Sequence, residues 1–259
     1  MKYSIYFLFW CISFFLGTEK SIHADALKVG VTAGPHALIL EEIKKLAQKE
    51  GLEIKIVEFN DFILPNAALE AGDIDINSYQ HQPFLEEQVK TRGYKLVSLA
   101  KTIILPMGIY SLKHKDLKDI QEGAKISIPN DPTNGGRALL LLKKAQLIDL
   151  KPLENPSVLD ITSNPKNLKI VELEAPQIPR TLEDVDYGIT NTDWITLAGM
   201  DPQTALLTED KDSPYANLIV VRTKDKEREE IKKFIQLYQS QFLKDFIEKT
   251  FKGSVLPAW

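Results

Sequence analysis

The sequence predicts an α/β fold divided into two lobes, and three observations predict it. Strand-like runs alternate with helical ones from Leu27 onward, the alternation restarts after an apolar stretch at residues 105–111, and the strongly apolar run 217–222 comes late enough to return to the first unit.

Residues 27–33 alternate apolar with other side chains, as a strand does. Gly34-Pro35 then opens a helix with Ile39, Ile43, Leu46 and Ala47 on one face, ended by Gly51. Residues 54–59 supply a second strand, and the strand-helix-strand crossover implies parallel pairing. Pro65 suits the first turn of a short helix through Leu69, closed by Gly72 before a strand at residues 73–77. The second unit reads as a strand at 125–128, a helix from about Gly136 to Gln146, and strands at 168–173 and 186–190. Residues 226–251 read as helical, with Ile231, Phe234, Ile235, Tyr238 and Phe242 as an apolar stripe and the charges at 224–233 as its solvated face.

Lys2 precedes an apolar run, residues 3–16, that is broken by Gly17 and followed by small residues at Ala24 and Ala26. This reads as a secretory signal peptide over residues 1–26; the run falls short of the ~20 residues that span a bilayer. Cys11, the only cysteine, lies inside it, so the exported form has no thiol. Phe9-Trp10 before Cys11 are not the small residues that precede a lipidated cysteine, so a soluble periplasmic form is expected, membrane-associated only if a lipid anchor is attached.

A formal charge of −4 over 259 residues gives no basic excess, so nucleic acid is not an expected partner. No nucleophile elbow, zinc-protease helix or phosphate-binding glycine loop occurs, so no enzyme is expected. Asp73, Asp75, Asp131 and Asp193 fit no cation-loop spacing; neither metal nor cofactor is expected.

The most informative segment is residues 128–142, where a strand, a tight turn and an apolar helix follow one another. Arg137, placed in the first helical turn, is electrostatically misplaced there unless an anion satisfies both it and the exposed N–H groups, which Gly135 and Gly136 would let approach closely. A glycine turn with a solvated arginine is the competing reading. Residues 75–83 present Tyr79 and His81 where a strand gives way to a helix, the position at which open α/β sheets hold ligands. Asn191 and Asn217 occupy similar strand ends, although asparagine there also reads as a turn or cap residue and His81 as a helix cap.

Together these segments resemble the NlpA/MetQ family of methionine-binding proteins, the substrate-capturing components of bacterial methionine importers. The resemblance rests on Gly34-Pro35-His36, Phe59-Asn60-Asp61-Phe62 with Pro65-Asn66, residues 72–75, Tyr79-Gln80-His81, residues 129–134 with Gly136-Arg137, residues 164–177 and residues 213–217, in order over residues 27–259. It implies a two-lobed periplasmic-binding-protein fold, type II-like, with the ligand cleft between the lobes. Residues 27–106 would form the first part of lobe 1, residues 107–216 lobe 2 with the first crossover at its start, and residues 217–259 the second crossover and the return.

Carried onto this chain, the resemblance gives Arg137 the ligand carboxylate. Asn134, Asn191 and Asn217 take the polar amino-acid end, and Tyr79, His81 and Phe62 the side-chain end. The implied ligand is methionine, L or D, and the implied partner an inner-membrane ABC importer of permease and ATPase, served by a monomer. Phe62 stands where the family usually has tyrosine, and Tyr187, Gly188 and Thr190 depart from the family's apolar residues, which points to an altered cleft wall on that side. A binding protein for another small amino acid or a short peptide is the second reading; a cleft enzyme acting on amino-acid derivatives, marked by turnover and not stoichiometric capture, and a surface interaction protein that keeps the fold without the pocket, marked by intact folding without ligand binding, are the alternatives from other classes.

Overall fold

The computed structural model describes residues 25–210 and 213–259. The signal-peptide reading and Cys11 lie outside these residues. No helix among the described residues is long and apolar enough to cross a membrane.

The chain begins with β1 (Leu27–Thr32), α1 (Pro35–Lys49), β2 (Ile54–Phe59), α2 (Leu64–Ala71), β3 (Ile76–Asn77), α3 (Gln82–Arg92) and β4 (Leu96–Lys101). A short β5 (Ile103–Ile104) lies on the first crossover. The second lobe holds β6 (Met107–Tyr110), β7 (Lys125–Pro129), α4 (Pro132–Lys144), β8 (Asp149–Leu150), β9 (Ile161–Ser163), β10 (Lys169–Leu173), α5 (Ile178–Thr181), β11 (Tyr187–Asn191), α6 (Thr192–Leu197) and β12 (Leu207–Thr208). Then β13 (Leu218–Arg222), α7 (Glu229–Tyr238), α8 (Gln241–Phe251) and β14 (Leu256–Pro257) follow.

Two five-stranded sheets result, in the orders β2-β1-β3-β13-β4 and β10-β7-β11-β6-β12. In each, three parallel strands are joined by an antiparallel fourth: β13 beside β3, and β6 beside β11. β13 shows why the chain returns. Its side chains alternate between faces, so Ile219 and Val221 enter the core made with α1, α7 and α8, while Leu218 and Val220 enter the core on the other face with Leu69 of α2 and Leu85 of α3. Only a strand covered on both sides has a use for five consecutive buried residues. The second lobe has its own core around Ile126, Ile128, Leu139, Leu142 and Ile189.

The crossovers run side by side. Thr102 N–H donates to the Asn217 carbonyl and Asn217 N–H to that of Ile103, both at 2.7 Å, while β14 pairs with β5.

Three sequence expectations are corrected. The helix of the second unit begins at Pro132, four residues before Gly136, because Asp131 caps it by accepting from Asn134 N–H and Pro132 occupies the first turn, where its missing N–H costs nothing. The helical stretch at 226–251 is two helices, since Ser240 caps α8; this break turns Phe242 outward, 52 % exposed, and gives the core face to Leu243, Ile247 and Phe251. Tyr187 and Gly188 lie in the second lobe's interior, not on the cleft: Tyr187 stacks on His114, and a Cβ on Gly188 would meet Leu182 at 2.7 Å.

Candidate functional site

A pocket lies between the lobes. All seven residues singled out from the sequence line it: Phe62, Tyr79, His81, Asn134, Arg137, Asn191 and Asn217.

Lobe 1 presents the β3–α3 corner. Its backbone is anchored by a buried amide network in which Asn66 and Gln80 exchange hydrogen bonds at 2.8 and 2.6 Å, Asn77 Nδ2 donates to Asn66 Oδ1 at 2.9 Å, and Gln80 Nε2 donates to Asn77 Oδ1 at 3.0 Å. Tyr79 Oη donates to the Phe62 carbonyl at 3.0 Å, tying one aromatic wall to the next. His81 is both readings at once: its Nδ1 caps α3 by accepting from Phe84 N–H at 3.2 Å, which leaves the proton on Nε2, 3.4 Å from Asn134 Oδ1 across the cleft. Burial, reinforced by the Arg137 charge, lowers its pKa to about 3, so it is a neutral donor.

Lobe 2 supplies Asn134 and Arg137 from α4. Asn134 Nδ2 donates to the Asp131 carboxylate, 3.1 and 3.0 Å from its two oxygens, while its Oδ1 faces His81 and accepts from Asn191 Nδ2 at 3.2 Å. Arg137 is not a first-turn residue; it sits in the second turn, and its anion is internal. Nε and Nη2 donate to the two oxygens of Glu209, Nη2 also donates to the Leu105 carbonyl at 3.0 Å, and the guanidinium lies 4.3 Å over the Tyr215 ring. Gly135 and Gly136 are likewise explained by packing within the lobe, not by an approaching ligand: a Cβ would come 2.8 Å from the Pro129 carbonyl oxygen in the first case and 3.0 Å from that of Pro156 in the second.

The β11–α6 corner adds Asn191 and Asp193. Asp193 Oδ2 accepts from Thr32 Oγ1 of lobe 1 at 3.2 Å, while Asp193 Oδ1 and Asn191 Oδ1 are buried with no partner among the described residues. Burial pushes the Asp193 pKa up to about 6, opposed by the Thr32 hydroxyl, its own backbone N–H and the Arg137 charge. On the crossover, Asn217 Nδ2 donates to His36 Nε2 at 2.9 Å; burial lowers the His36 pKa to about 3, so this imidazole too is neutral.

The apolar end is an aromatic box. Phe62 lies 6.1 Å from Tyr79, 6.2 Å from Phe84 and 5.0 Å from Trp194, within the range where ring pairs attract. The pocket therefore offers guanidinium and amide groups at one end and polarisable rings at the other. Sequence reasoning missed Glu209, Phe84, Trp194 and Tyr215. Phe84 alone had a usable signal: three residues after a helix cap, a side chain returns to the side of the cap.

A family model described as NlpA lipoprotein matches residues 27–259. The D-methionine-binding lipoprotein MetQ of Salmonella typhi is 48% identical over 239 residues, covering 90% of this chain and 88% of that protein. Among solved structures, a nutrient binding protein from Burkholderia cenocepacia bound to methionine superposes with a TM-score of 0.88 at 50% identity, covering 90% of this chain and 100% of that one. The methionine binding protein MetQ superposes with a TM-score of 0.87 at 47% identity, covering 90% and 98%.

Proposed function

This chain belongs to the NlpA lipoprotein family, and from that premise we propose that it is an exported substrate-binding protein that captures methionine for an ABC importer. The observation that carries this reading is the division of one small pocket into a charged and amide-lined end and an aromatic end. Methionine has both: a zwitterion whose buried polar atoms need partners, and a flexible thioether that packs well against rings. Arg137, through the Nη1 hydrogens that Glu209 leaves free, takes the carboxylate. Asn134, Asn191 and Asn217 complete the polar end, and Phe62, Tyr79 and His81 the side-chain end.

On this reading residues 27–106 and 217–259 form one jaw and residues 107–216 the other, hinged at the paired crossovers. One monomer holds one methionine and hands it unchanged to the permease and ATPase partner; the site captures and performs no turnover.

The test is thermal melting of ligand-free exported protein with a panel of amino acids and methionine-containing dipeptides. A ligand that binds only the folded state stabilises it by about 2.7 kcal/mol at a hundredfold excess over Kd, a shift of several degrees. Methionine should give the largest shift and be recovered intact. An absence of any shift across the panel would overturn the reading.

A further inference from the structure

Among the described residues, one buried ionisable group of the pocket has no charged hydrogen-bond partner. Arg137 is matched by Glu209 through two parallel hydrogen bonds, and His36 and His81 are neutral. Asp193 is 2 % exposed, lines the same pocket, and spends one oxygen on a neutral hydroxyl, that of Thr32. Its second oxygen is buried without a partner among the described residues, and so is the side-chain oxygen of Asn191 two residues earlier. Both are acceptors only. What satisfies them together is a group with several N–H donors and, because a buried unpaired carboxylate is costly, a positive charge.

We propose that Asp193 is the acceptor for the ligand's ammonium group, with Asn191 Oδ1 as its companion, and that this pair makes the pocket select a free primary amine. The inference rests on the functional reading above and adds its specificity determinant: the amino acid spans the pocket from Arg137 at its carboxylate to Asp193 at its ammonium. N-blocked and des-amino analogues would leave Asp193 charged and unpaired, and are therefore rejected. Binding also requires the ionised carboxylate, so affinity falls as Asp193 takes up a proton.

The groups packed around Asp193 do not confuse that titration. His36 on α1 and His81 on the pocket wall are neutral at pH 5, Arg137 is paired with Glu209, and Arg180 on α5 and Asp201 beyond α6 are solvent-exposed. The ligand's own α-amino group stays protonated below a pKa of about 7.7–8.0.

The experiment is calorimetric titration of ligand-free wild type and Asp193→Asn with methionine, N-acetylmethionine and 4-(methylthio)butanoic acid, at pH 7 and pH 5. Wild type should bind methionine at least a hundredfold more tightly than either analogue and lose about tenfold in affinity at pH 5. Asp193→Asn should weaken methionine binding at least tenfold, leave the des-amino acid within twofold, and show no pH dependence over this interval. Thermal melting of the ligand-free variant, expected at or above the wild-type temperature, separates lost recognition from lost folding. Wild type that binds methionine beside a variant that binds it equally well overturns the Asp193 assignment alone, as does a des-amino acid weakened as much as methionine. Wild type that binds no amino acid overturns the functional reading and this inference with it.

Discussion

The two lobes present equivalent corners to the cleft, β3 to α3 in one and β11 to α6 in the other, each at the carboxyl end of a sheet's third parallel strand. Their polar chemistry differs. In lobe 1, Asn66, Asn77 and Gln80 satisfy one another inside the protein, so the corner carrying Tyr79 and His81 is held in place before any ligand arrives. In lobe 2, Asn191 Oδ1 and Asp193 Oδ1 line the pocket and are buried with no partner among the described residues, whereas Ser78 Oγ, the unpartnered atom of the lobe 1 corner, does not line it. The same topological position thus serves once as a rigid wall and once as a set of unfilled valences. On the proposed reading, the ligand's charged groups are met by the second lobe, with Asn217 completing the polar end, and most of the aromatic wall belongs to the first.

The largest effect that would break this division is expected at Arg137. Arg137→Ala strands the Glu209 carboxylate, whose side chain is 11 % exposed, and breaking a buried pair costs roughly 3–5 kcal/mol. Both denaturant midpoint and methionine affinity should fall sharply. Arg137→Met combined with Glu209→Leu should regain the stability and not the binding, because the pair is then replaced by apolar volume while the donor to the carboxylate is still missing. Recovery of both would make Arg137 a structural residue only.

Next in size is the pH dependence contributed by Asp193. Its folded pKa of about 6 lies above the ordinary value of 3.8, so the folded state binds more protons than the unfolded one between those limits. The stability of the ligand-free protein should therefore decrease as pH rises from about 4 to 6, by on the order of 3 kcal/mol from this one group, and Asp193→Asn should remove that component. Equilibrium unfolding of the two proteins across this interval measures the difference.

On the lobe 1 side, Asn77→Ala should cost about 1–3 kcal/mol by leaving Gln80 and Asn66 with unpaired polar atoms, measured by urea unfolding, and should weaken methionine binding only as far as the corner shifts. The smallest effect expected is that of Tyr79→Phe, which removes one hydrogen bond to the Phe62 carbonyl and keeps the ring: about 0.5–1.5 kcal/mol of stability, with little change in affinity. If Tyr79→Phe weakened binding more than Asn77→Ala does, lobe 1 would be reading polar chemistry and the contrast between the corners would fail.

Much of this was legible in the sequence, for identifiable reasons. The alternation of strands and helices and the doubly apolar β13 are local patterns; Tyr79, His81, Asn191 and Asn217 stand near strand ends where turn chemistry marks them, Arg137 was marked by the glycine turn before it, and Phe62 and Asn134 came only from the family resemblance. Glu209 was not legible, since it lies 72 positions from Arg137 in a polar loop without periodicity, and only the folded chain brings the two together. The same gap hid the internal anion that already pairs Arg137 before any ligand is considered. The start of α4 was misjudged because the two glycines outweighed the Asp131-Pro132 cap signal, although those glycines are required by backbone contacts with Pro129 and Pro156. Phe84 and Trp194 escaped because α3 and the six-residue α6 are too short or too polar for an apolar face to stand out.

The most direct test of the central claim is calorimetric titration of the ligand-free exported protein with methionine at neutral pH. The account predicts saturable binding at one methionine per chain, with a negative heat-capacity change from burial of the thioether among Phe62, Tyr79, Phe84 and Trp194. Protein shown to be folded and free of ligand that gives no binding heat at several temperatures, and no shift in its melting transition, would contradict it.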